Sequence, residues 1–320
     1  MLFLTESDVL DLLPMDLAIE RVEAAFRAQQ GAAVNEPRKR IFLPGVSLHY
    51  MAAALPGENL MGLKIYSVSR GFFRFVVLLF DAQGGELLAF IEADQLGRIR
   101  TGAASGVAAK YLSRADSATA GVIGSGRQAR TQLAAIVRVR KIRTALVYSP
   151  QQDHRDGFAR EMSKQLGIEV RPAESAEAAV RFGDIVVTAT NSSGPVLSSE
   201  WLNAGAHVSA VGANMENRRE VDDDLLDRAE VIAVDSSAQA RIEAGDLIQG
   251  FALAPAQWER VAEMWEIIAG TRQGRTTSED VTLFKSTGIA LWDVAAAGAV
   301  YRRAIELGRG KQTELSAMIA

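Results

Sequence analysis

The chain contains 320 residues, more than is usual for one domain, and therefore favours two domains. Hydrophobic residues make up 48% and charged residues 23%, which is typical of a globular protein, and the net charge of -4 argues against a nucleic-acid-binding surface. The chain has no cysteine and only three widely spaced histidines, which excludes disulfides and thiolate metal sites and offers no histidine pair for a metal.

The first hundred residues predict an α+β domain. Acidic residues in the first 13 positions exclude a signal peptide, and no apolar run has membrane-spanning length, so we expect a cytoplasmic protein with no membrane partner. Residues 15–30 predict an amphipathic helix. Apolar runs at 47–54, 61–68 and 75–80 predict strands, the turn at 81–85 predicts a hairpin, and 72–75 is interpreted as a loop.

The remaining chain predicts a Rossmann-type doubly wound parallel sheet. After a helix over 100–112, strands at 118–123, 145–149, 168–170, 184–189, 207–211 and 231–235 alternate with helices at 128–139, 153–166, 174–182 and 222–228. Two further helices are predicted at 257–268 and 289–307. We place residues 1–115 with 289–320 in one domain and 116–288 in the second.

A glycine-rich turn at 124–129 predicts a dinucleotide cofactor, because an apolar strand precedes it and a helix follows. Gly124 would allow the tight turn, Gly126 would let a pyrophosphate approach the backbone, and Ala129 would permit close helix–strand packing. The helix N-terminus would present free N–H groups to the phosphates. The predicted contacts here are Gly124, Ser125, Gly126, Arg127, Gln128 and Ala129.

The second nucleotide-domain strand favours NADP(H), with NAD(H) as the alternative. NAD enzymes usually place an acidic residue at the end of this strand, whereas this chain has Ser149 followed by Pro-Gln. Ser149 and a following cation, either Arg155 or His154, would suit a 2′-phosphate. Thr190 and Asn191 follow the fourth strand, where open sheets bind ligands.

Several segments, in order, resemble the ornithine cyclodeaminase/μ-crystallin family. They are residues 62–66, 79–81, 99–103, 119–129, 184–190, 211–213, 243–246 and 284–288. The resemblance implies a homodimer whose N-terminal domain forms the dimer contact and binds substrate, with NAD(P) held by the second domain. It also assigns Val211, Gly212, Ser286 and Gly288 to the cofactor site, and Asp293 matches an acidic residue of the family, which could equally be structural.

Lys64 and Arg100 are the best candidates to bind a substrate carboxylate, and both match basic positions of the family. A further arginine is expected after a proline near the chain start, where Arg40 is preferred and Arg38 is the alternative; the basic run could also be a solvated face. Burial between apolar neighbours would lower the pKa of Lys64, so that it could also protonate substrate. Arg74 could bind a second carboxylate of the substrate, contact the other subunit of a dimer, or lie on the surface, and the sequence does not distinguish these roles.

Asn214 distinguishes between the reactions of the family. Cyclodeaminases carry an aspartate here, whereas a neutral asparagine can hydrogen-bond an imine or amine but cannot act as a general base. Glu216 could substitute for it. We therefore predict an NAD(P)H-dependent reductase of small imino acids, such as pyrroline-2-carboxylate or piperideine-2-carboxylate. The alternatives are an ornithine or lysine cyclodeaminase with bound NAD, an alanine dehydrogenase-like enzyme, and an NADPH-binding protein without turnover.

Overall fold

A computed structural model describes residues 1–314. The strands are β1 (Leu2–Leu4), β2 (Val34–Asn35), β3 (Lys39–Leu43), β4 (Val46–Leu55), β5 (Leu60–Ser69), β6 (Phe72–Asp81), β7 (Leu87–Glu92), β8 (Thr119–Ile123), β9 (Thr144–Tyr148), β10 (Glu169–Pro172), β11 (Ile185–Thr188), β12 (His207–Ala210), β13 (Val231–Val234), β14 (Val261–Glu263), β15 (Thr282–Lys285) and β16 (Lys311–Gln312). The helices are α1 (Glu6–Leu12), α2 (Met15–Ala28), α3 (Asp94–Leu112), α4 (Arg127–Val139), α5 (Gln152–Leu166), α6 (Ala176–Phe182), α7 (Asp223–Arg228), α8 (Ser237–Glu243), α9 (Gly245–Gly250), α10 (Met264–Ala269) and α11 (Ala290–Glu306). None of these helices is long and apolar enough to cross a bilayer.

The chain divides into two units, one comprising Met1–Arg100 with the chain from Ile289 onward, and the other Thr101–Gly288. The first unit therefore ends at Arg100, whereas the predicted boundary lies after residue 115. The physical reason is the packing of α3, since Ala109 belongs to the same buried apolar cluster as Val122 and Ala145 of β8 and β9.

The first unit contains a sheet with the strand order β16-β1-β7-β6-β5-β4-β2, and β3 also pairs with β4. The pairs among β3 to β7 are antiparallel, whereas β1 runs parallel to β7. Cross-strand register places Met51, Lys64 and Val77 side by side, and all three are buried. Because α11 packs on β4 and β5, this side of the sheet forms the core of the unit.

The second unit contains an eight-stranded parallel sheet with the order β10-β9-β8-β11-β12-β15-β13-β14. Alternate strand residues feed two separate apolar clusters: Val122 packs with residues of α4 and α5, and Ile123 packs with residues of α6 and α7. Helices therefore cover both faces, and the predicted fold class, a Rossmann-type doubly wound sheet plus an N-terminal α+β domain, is confirmed.

Three local predictions are wrong. The helix predicted over 100–112 begins at Asp94, where the Glu6 carboxylate accepts hydrogen bonds from the N–H groups of Asp94 and Gln95. The loop predicted at 72–75 is part of β6, because a two-residue turn at Arg70 and Gly71 already joins it to β5. The helix predicted over 257–268 is a 3-10 turn, strand β14 and α10; a three-residue strand is too short to show a period.

Candidate active site

The first unit contains a buried ion cluster built from three distant parts of the chain. The Lys64 Nζ of β5 donates to Asp293 Oδ1 at 2.8 Å, and the Arg100 Nε of α3 donates to the same oxygen at 2.9 Å. Asp293 lies in the first turn of α11, and its side chain is 0% exposed. The structure thus brings together the two residues that the sequence predicts to bind a carboxylate, and it adds Asp293 as their shared counter-ion.

Burial and charge set the protonation of this cluster. Burial, together with the positive charges of Arg100 and Arg38, lowers the pKa of Lys64 to about 8, although Asp293 opposes the shift. Burial raises the pKa of Asp293, but Arg100 and Lys64 outweigh it and hold that pKa below its usual value. At neutral pH two cations therefore share one carboxylate, and the three side chains keep one net positive charge.

Two buried atoms of the cluster have no hydrogen-bond partner within residues 1–314. They are Arg100 Nη1, a donor, and Asp293 Oδ2, an acceptor. A buried polar atom without a hydrogen-bond partner raises the free energy of the folded state. We therefore expect both atoms to contact a ligand or water. A donor on a net positive cluster suits the carboxylate of a small molecule.

The structure associates Arg38, and not the preferred Arg40, with Lys64. Arg38 is 7% exposed and its charge acts on Lys64, whereas the charge of Arg40 acts on His49, its cross-strand partner in the β3–β4 ladder. The sequence could not distinguish Arg38 from Arg40, because they are the same type of residue and lie two positions apart. The exposed Arg74 pairs across strands with Ser67, whose neighbour Tyr66 belongs to the core side, so Arg74 points to the opposite side of the sheet.

An aromatic wall, consisting of Phe75, Tyr66 and His49, extends from Lys64 along the core side of the sheet. Lys64 Nζ lies 5.5 Å from the centroid of the Phe75 ring. The Tyr66 ring is 4.8 Å from Phe75 and stacks on His49 at 4.5 Å. The sequence predicted none of these contacts; strand alternation together with the ladder register is the signal that could have found them.

In the second unit, the glycine-rich turn has the backbone that a dinucleotide requires. Gly124 has a φ of +107°, and a Cβ there would lie 2.4 Å from the Ala189 carbonyl oxygen, so only glycine fits. Gly126 is the N-cap of α4 and makes no side-chain cap, and a Cβ on it would meet nothing within 4 Å. Open space in front of the first turn of α4 fits a pyrophosphate. Arg127 and Gln128 form the first turn of α4, and Ala129 is buried.

A cation lies at the end of β9. Ser125 Oγ donates to Ser149 Oγ at 2.9 Å, which joins the ends of β8 and β9. Arg155 Nη1 donates to the Ser149 carbonyl oxygen at 3.0 Å, and its guanidinium lies over the Tyr148 ring. Both predicted residues are thus at the position where the adenosine ribose of a dinucleotide would be bound.

Two buried carboxylates hold the loops that follow the central strands, and the sequence analysis missed Glu220 as a site residue. Glu220 accepts from the N–H of Thr190 at 2.7 Å and from the N–H of Gly212 at 2.6 Å. Asp235 accepts from Ser286 Oγ at 3.0 Å and from the N–H of Gly288 at 2.6 Å. Four predicted cofactor residues are therefore fixed at the carboxyl ends of β11, β12 and β15.

The other predicted residues of this unit lie on the same loops. Asn191 is exposed after β11, and the N–H of Val211 donates to the Thr188 carbonyl oxygen at 2.9 Å. Asn214 is half-buried, and the preceding Ala213 carbonyl accepts from Lys285 Nζ at 2.6 Å, so this loop is anchored to β15. The predicted cofactor residues and Asn214 therefore belong to the second unit, and the carboxylate-binding candidates to the first.

Comparison with known proteins identifies close relatives. The model of the ornithine cyclodeaminase/mu-crystallin family matches residues 1–308. The chain is 35% identical over 291 residues to Delta(1)-pyrroline-2-carboxylate reductase of Bacillus cereus, covering 88% of this chain and 86% of that protein. The structure of Thermococcus litoralis Delta(1)-pyrroline-2-carboxylate reductase in complex with NADH and L-proline is 37% identical, with a TM-score of 0.93 over 98% of this chain and 100% of that chain. An archaeal alanine dehydrogenase dimer with bound NAD is 34% identical, with a TM-score of 0.92 over 98% of this chain and 99% of that chain.

Proposed function

Because this chain belongs to the ornithine cyclodeaminase/mu-crystallin family, we propose that it is an NAD(P)H-dependent reductase of small imino acids. The substrates are cyclic ketimine carboxylates, such as pyrroline-2-carboxylate or piperideine-2-carboxylate, and the products are L-amino acids. The Lys64–Asp293–Arg100 cluster carries the proposal, because it offers an unpaired guanidinium donor and an ammonium group of lowered pKa in one buried place. The Bacillus and Thermococcus relatives, both named as pyrroline-2-carboxylate reductases, support the same reaction.

Each member of the cluster has a separate task. Arg100, through Nη1, and Arg38 bind the substrate carboxylate and fix the position of the imine carbon. Lys64 donates a proton to the imine nitrogen, which a pKa of about 8 allows at neutral pH. Asp293 accepts hydrogen bonds from Lys64 and Arg100, which orients both and keeps Lys64 protonated.

The second unit would hold the dinucleotide. The N–H groups at Gly126 and the first turn of α4 bind the pyrophosphate, and Thr190, Gly212 and Ser286 line the ends of the strands. When bound, the reduced nicotinamide supplies the hydride. We further propose a preference for NADPH, since Arg155 offers a guanidinium beside Ser149 and no carboxylate follows β9 before Asp153.

An assay of nicotinamide oxidation tests the reaction. We expect the absorbance at 340 nm, which reports reduced nicotinamide, to fall when a cyclic ketimine carboxylate is added and to stay constant without it. Arg100→Ala should abolish this loss and leave cofactor affinity little changed. Arg98→Ala is the matched control, because Arg98 lies on the same helix and pairs with Asp94.

Each of three results would refute the proposal and identify a different function. Ammonia release from ornithine, with no oxidation of cofactor by any imino acid, would identify a cyclodeaminase, which Asn214 disfavours. Oxidation of alanine with no reduction of cyclic ketimines would identify an amino-acid dehydrogenase. Tight NADPH binding without either reaction would identify a binding protein.

We also propose a homodimer formed through the open side of the first unit's sheet. The residues on this side line an apolar groove of about 360 Å³ and include Ala52, Ala54, Met61, Leu63 and Phe80. An archaeal relative is a dimer. We expect the wild-type chain to sediment as a dimer and Leu63→Lys to sediment as a monomer; a monomeric wild type would refute the proposal.

A further inference from the structure

Lys285 is a buried cation that the proposed reaction does not use. It lies on β15 and is 0% exposed. Its Nζ donates to the Ala213 carbonyl oxygen at 2.6 Å and lies 2.7 Å from Asp246 Oδ2, and the Asp246 side chain is equally buried. A buried ion pair adds little stability over apolar side chains of the same volume, because both charges have left water. The pair therefore points to a role other than stability.

Asp246 connects Lys285 to the carboxylate that holds two other loops. Its Oδ1 accepts from the N–H of Glu220 at 2.6 Å. This bond fixes the backbone that carries the Glu220 side chain, which in turn accepts from the N–H groups of Thr190 and Gly212. Burial raises the pKa of Asp246, but the charge of Lys285 and the hydrogen bonds that Asp246 accepts hold that pKa below its usual value. Asp246 is therefore ionised at neutral pH.

The start of α9 also packs against the loop that follows β12. A Cβ on Gly245, next to Asp246, would overlap the Arg218 carbonyl oxygen, so only glycine fits. From the same helix, Gln249 Nε2 donates to the Glu216 carbonyl oxygen at 2.8 Å. The loop after β12 is therefore held along its length by α9 and by the ion pair.

The strand order assigns these loops to one end of a dinucleotide. In the sheet of the second unit, β9 lies on one side of β8, and β11, β12 and β15 follow on the other side. The glycine-rich turn after β8 would hold the pyrophosphate, and Ser149 and Arg155 at the end of β9 would hold the adenosine ribose. The nicotinamide half would therefore extend over the loops that follow β11, β12 and β15, which Lys285 connects.

We propose that Lys285 is a positioning residue for the nicotinamide half of the cofactor. Through Asp246 and the Ala213 carbonyl group, it holds the three loops in their binding arrangement before the cofactor arrives. This inference rests on the proposed dinucleotide site and adds to it a residue that is itself too buried to contact the ligand. Because a preformed site loses less conformational entropy on binding, the affinity for the nicotinamide half depends on the ion pair. The affinity for the adenosine half does not.

Binding of a whole and a truncated cofactor tests the proposal. The variant is Asp246→Asn/Lys285→Met, which removes both charges together and keeps a side-chain oxygen at position 246 for the N–H of Glu220. By calorimetry, we expect Kd for NADPH to rise at least tenfold, and Kd for 2′-phospho-ADP-ribose, which lacks nicotinamide, to change less than twofold. The same comparison applies to NADH and ADP-ribose. The matched control, Glu177→Gln/Arg181→Met, removes an exposed ion pair of α6 and should change neither Kd. Equal changes in both Kd values of the Lys285 variant, or no change in either, would overturn the proposal.

Hydrogen exchange of the wild-type protein tests the same role without a variant. If the loops are held in advance, the N–H groups of Thr190 and Gly212, both bonded to Glu220, exchange slowly before any cofactor is added. Fast exchange that only NADPH slows would contradict the proposal.

Neither measurement needs turnover, so the two proposals can fail separately. If no imino acid is reduced but the two affinities separate as expected, the proposed reaction fails and the role of Lys285 stands. If imino acids are reduced while both affinities change alike, the role of Lys285 alone fails.

Discussion

Replacement of Asp293 by asparagine removes the counter-ion of two buried cations. The asparagine side chain would keep an oxygen that can accept hydrogen bonds from Lys64 and Arg100, so the change removes charge with little change in shape. Loss of one partner from a buried ion pair costs about 3–5 kcal/mol, because the remaining charge is left uncompensated. Lys64 can escape part of this cost by losing its proton, whereas Arg100 cannot.

The size of the effect follows from the pKa of Lys64. Its pKa of about 8 falls further in Asp293→Asn, and each unit corresponds to about 1.4 kcal/mol. Lys64 is then neutral at pH 7, which limits the loss of stability to about 3 kcal/mol, the lower end of the range for a broken buried pair. For a chain of this size, we expect a decrease in Tm of roughly 6–12 °C.

The direction in which the stability loss changes with pH distinguishes this mechanism from nonspecific destabilisation. A lysine with a lowered pKa in the folded state costs stability in full below that pKa, and the cost declines as the pH rises from the folded pKa of about 8 towards the ordinary value of 10.5. Asp293 offsets this cost in the wild-type protein while Lys64 is charged. The stability difference between wild type and Asp293→Asn should therefore be largest near pH 6 and smaller near pH 9, above the wild-type pKa of about 8.

Urea unfolding followed by tryptophan fluorescence measures this difference, since Trp292 is buried beside Asp293 in the same unit. Glu58→Gln is the control, because it removes a partly exposed ion pair with Arg302 of the same unit and should cost less than about 1 kcal/mol. A loss below about 1 kcal/mol for Asp293→Asn, or an equal loss at pH 6 and pH 9, would refute the reasoning.

Two further predictions concern catalysis. If Lys64 donates the proton, kcat/KM for imine reduction should fall about tenfold per pH unit above its pKa of about 8, and Lys64→Arg should move this decline upward. A decline at the same pH in Lys64→Arg would assign it to the substrate. Arg155→Gln should raise KM for NADPH at least tenfold and change KM for NADH less than twofold, as measured by initial rates; equal effects on both cofactors would contradict a 2′-phosphate site.

The glycine-rich turn and the parallel sheet could be predicted because their signals are local. Strand, turn and helix occupy 11 consecutive residues from Thr119 to Ala129, and each strand of the second unit is a short apolar run followed by a helix. The fold class and the family follow from such segments, and both are confirmed. The strand ends and helix ends predicted between residues 118 and 235 agree with the structure to within about two residues.

The contacts that complete the site could not be predicted, because the residues that make them are far apart in the sequence. Asp293 lies 229 positions from Lys64, and the start of α3 depends on Glu6, 88 positions earlier. Glu220 sits in a loop without a repeating pattern, and its role appears only when β11 and β12 are side by side. Arg38 and Arg40 differ in their surroundings and not in their chemistry.

The ion cluster also constrains how the protein is made. Arg100 and Asp293 are separated by 193 positions, most of which form the second unit. At about 5–20 residues per second, translation of this interval takes roughly 10–40 s. During that time Asp293 has not yet been synthesised. Burial of Lys64 on β5 and Arg100 on α3 would therefore leave their charges without a counter-ion and would cost free energy. The first part of the chain to leave the ribosome is therefore expected to be the last to reach its native packing, with the nucleotide-binding unit folding earlier.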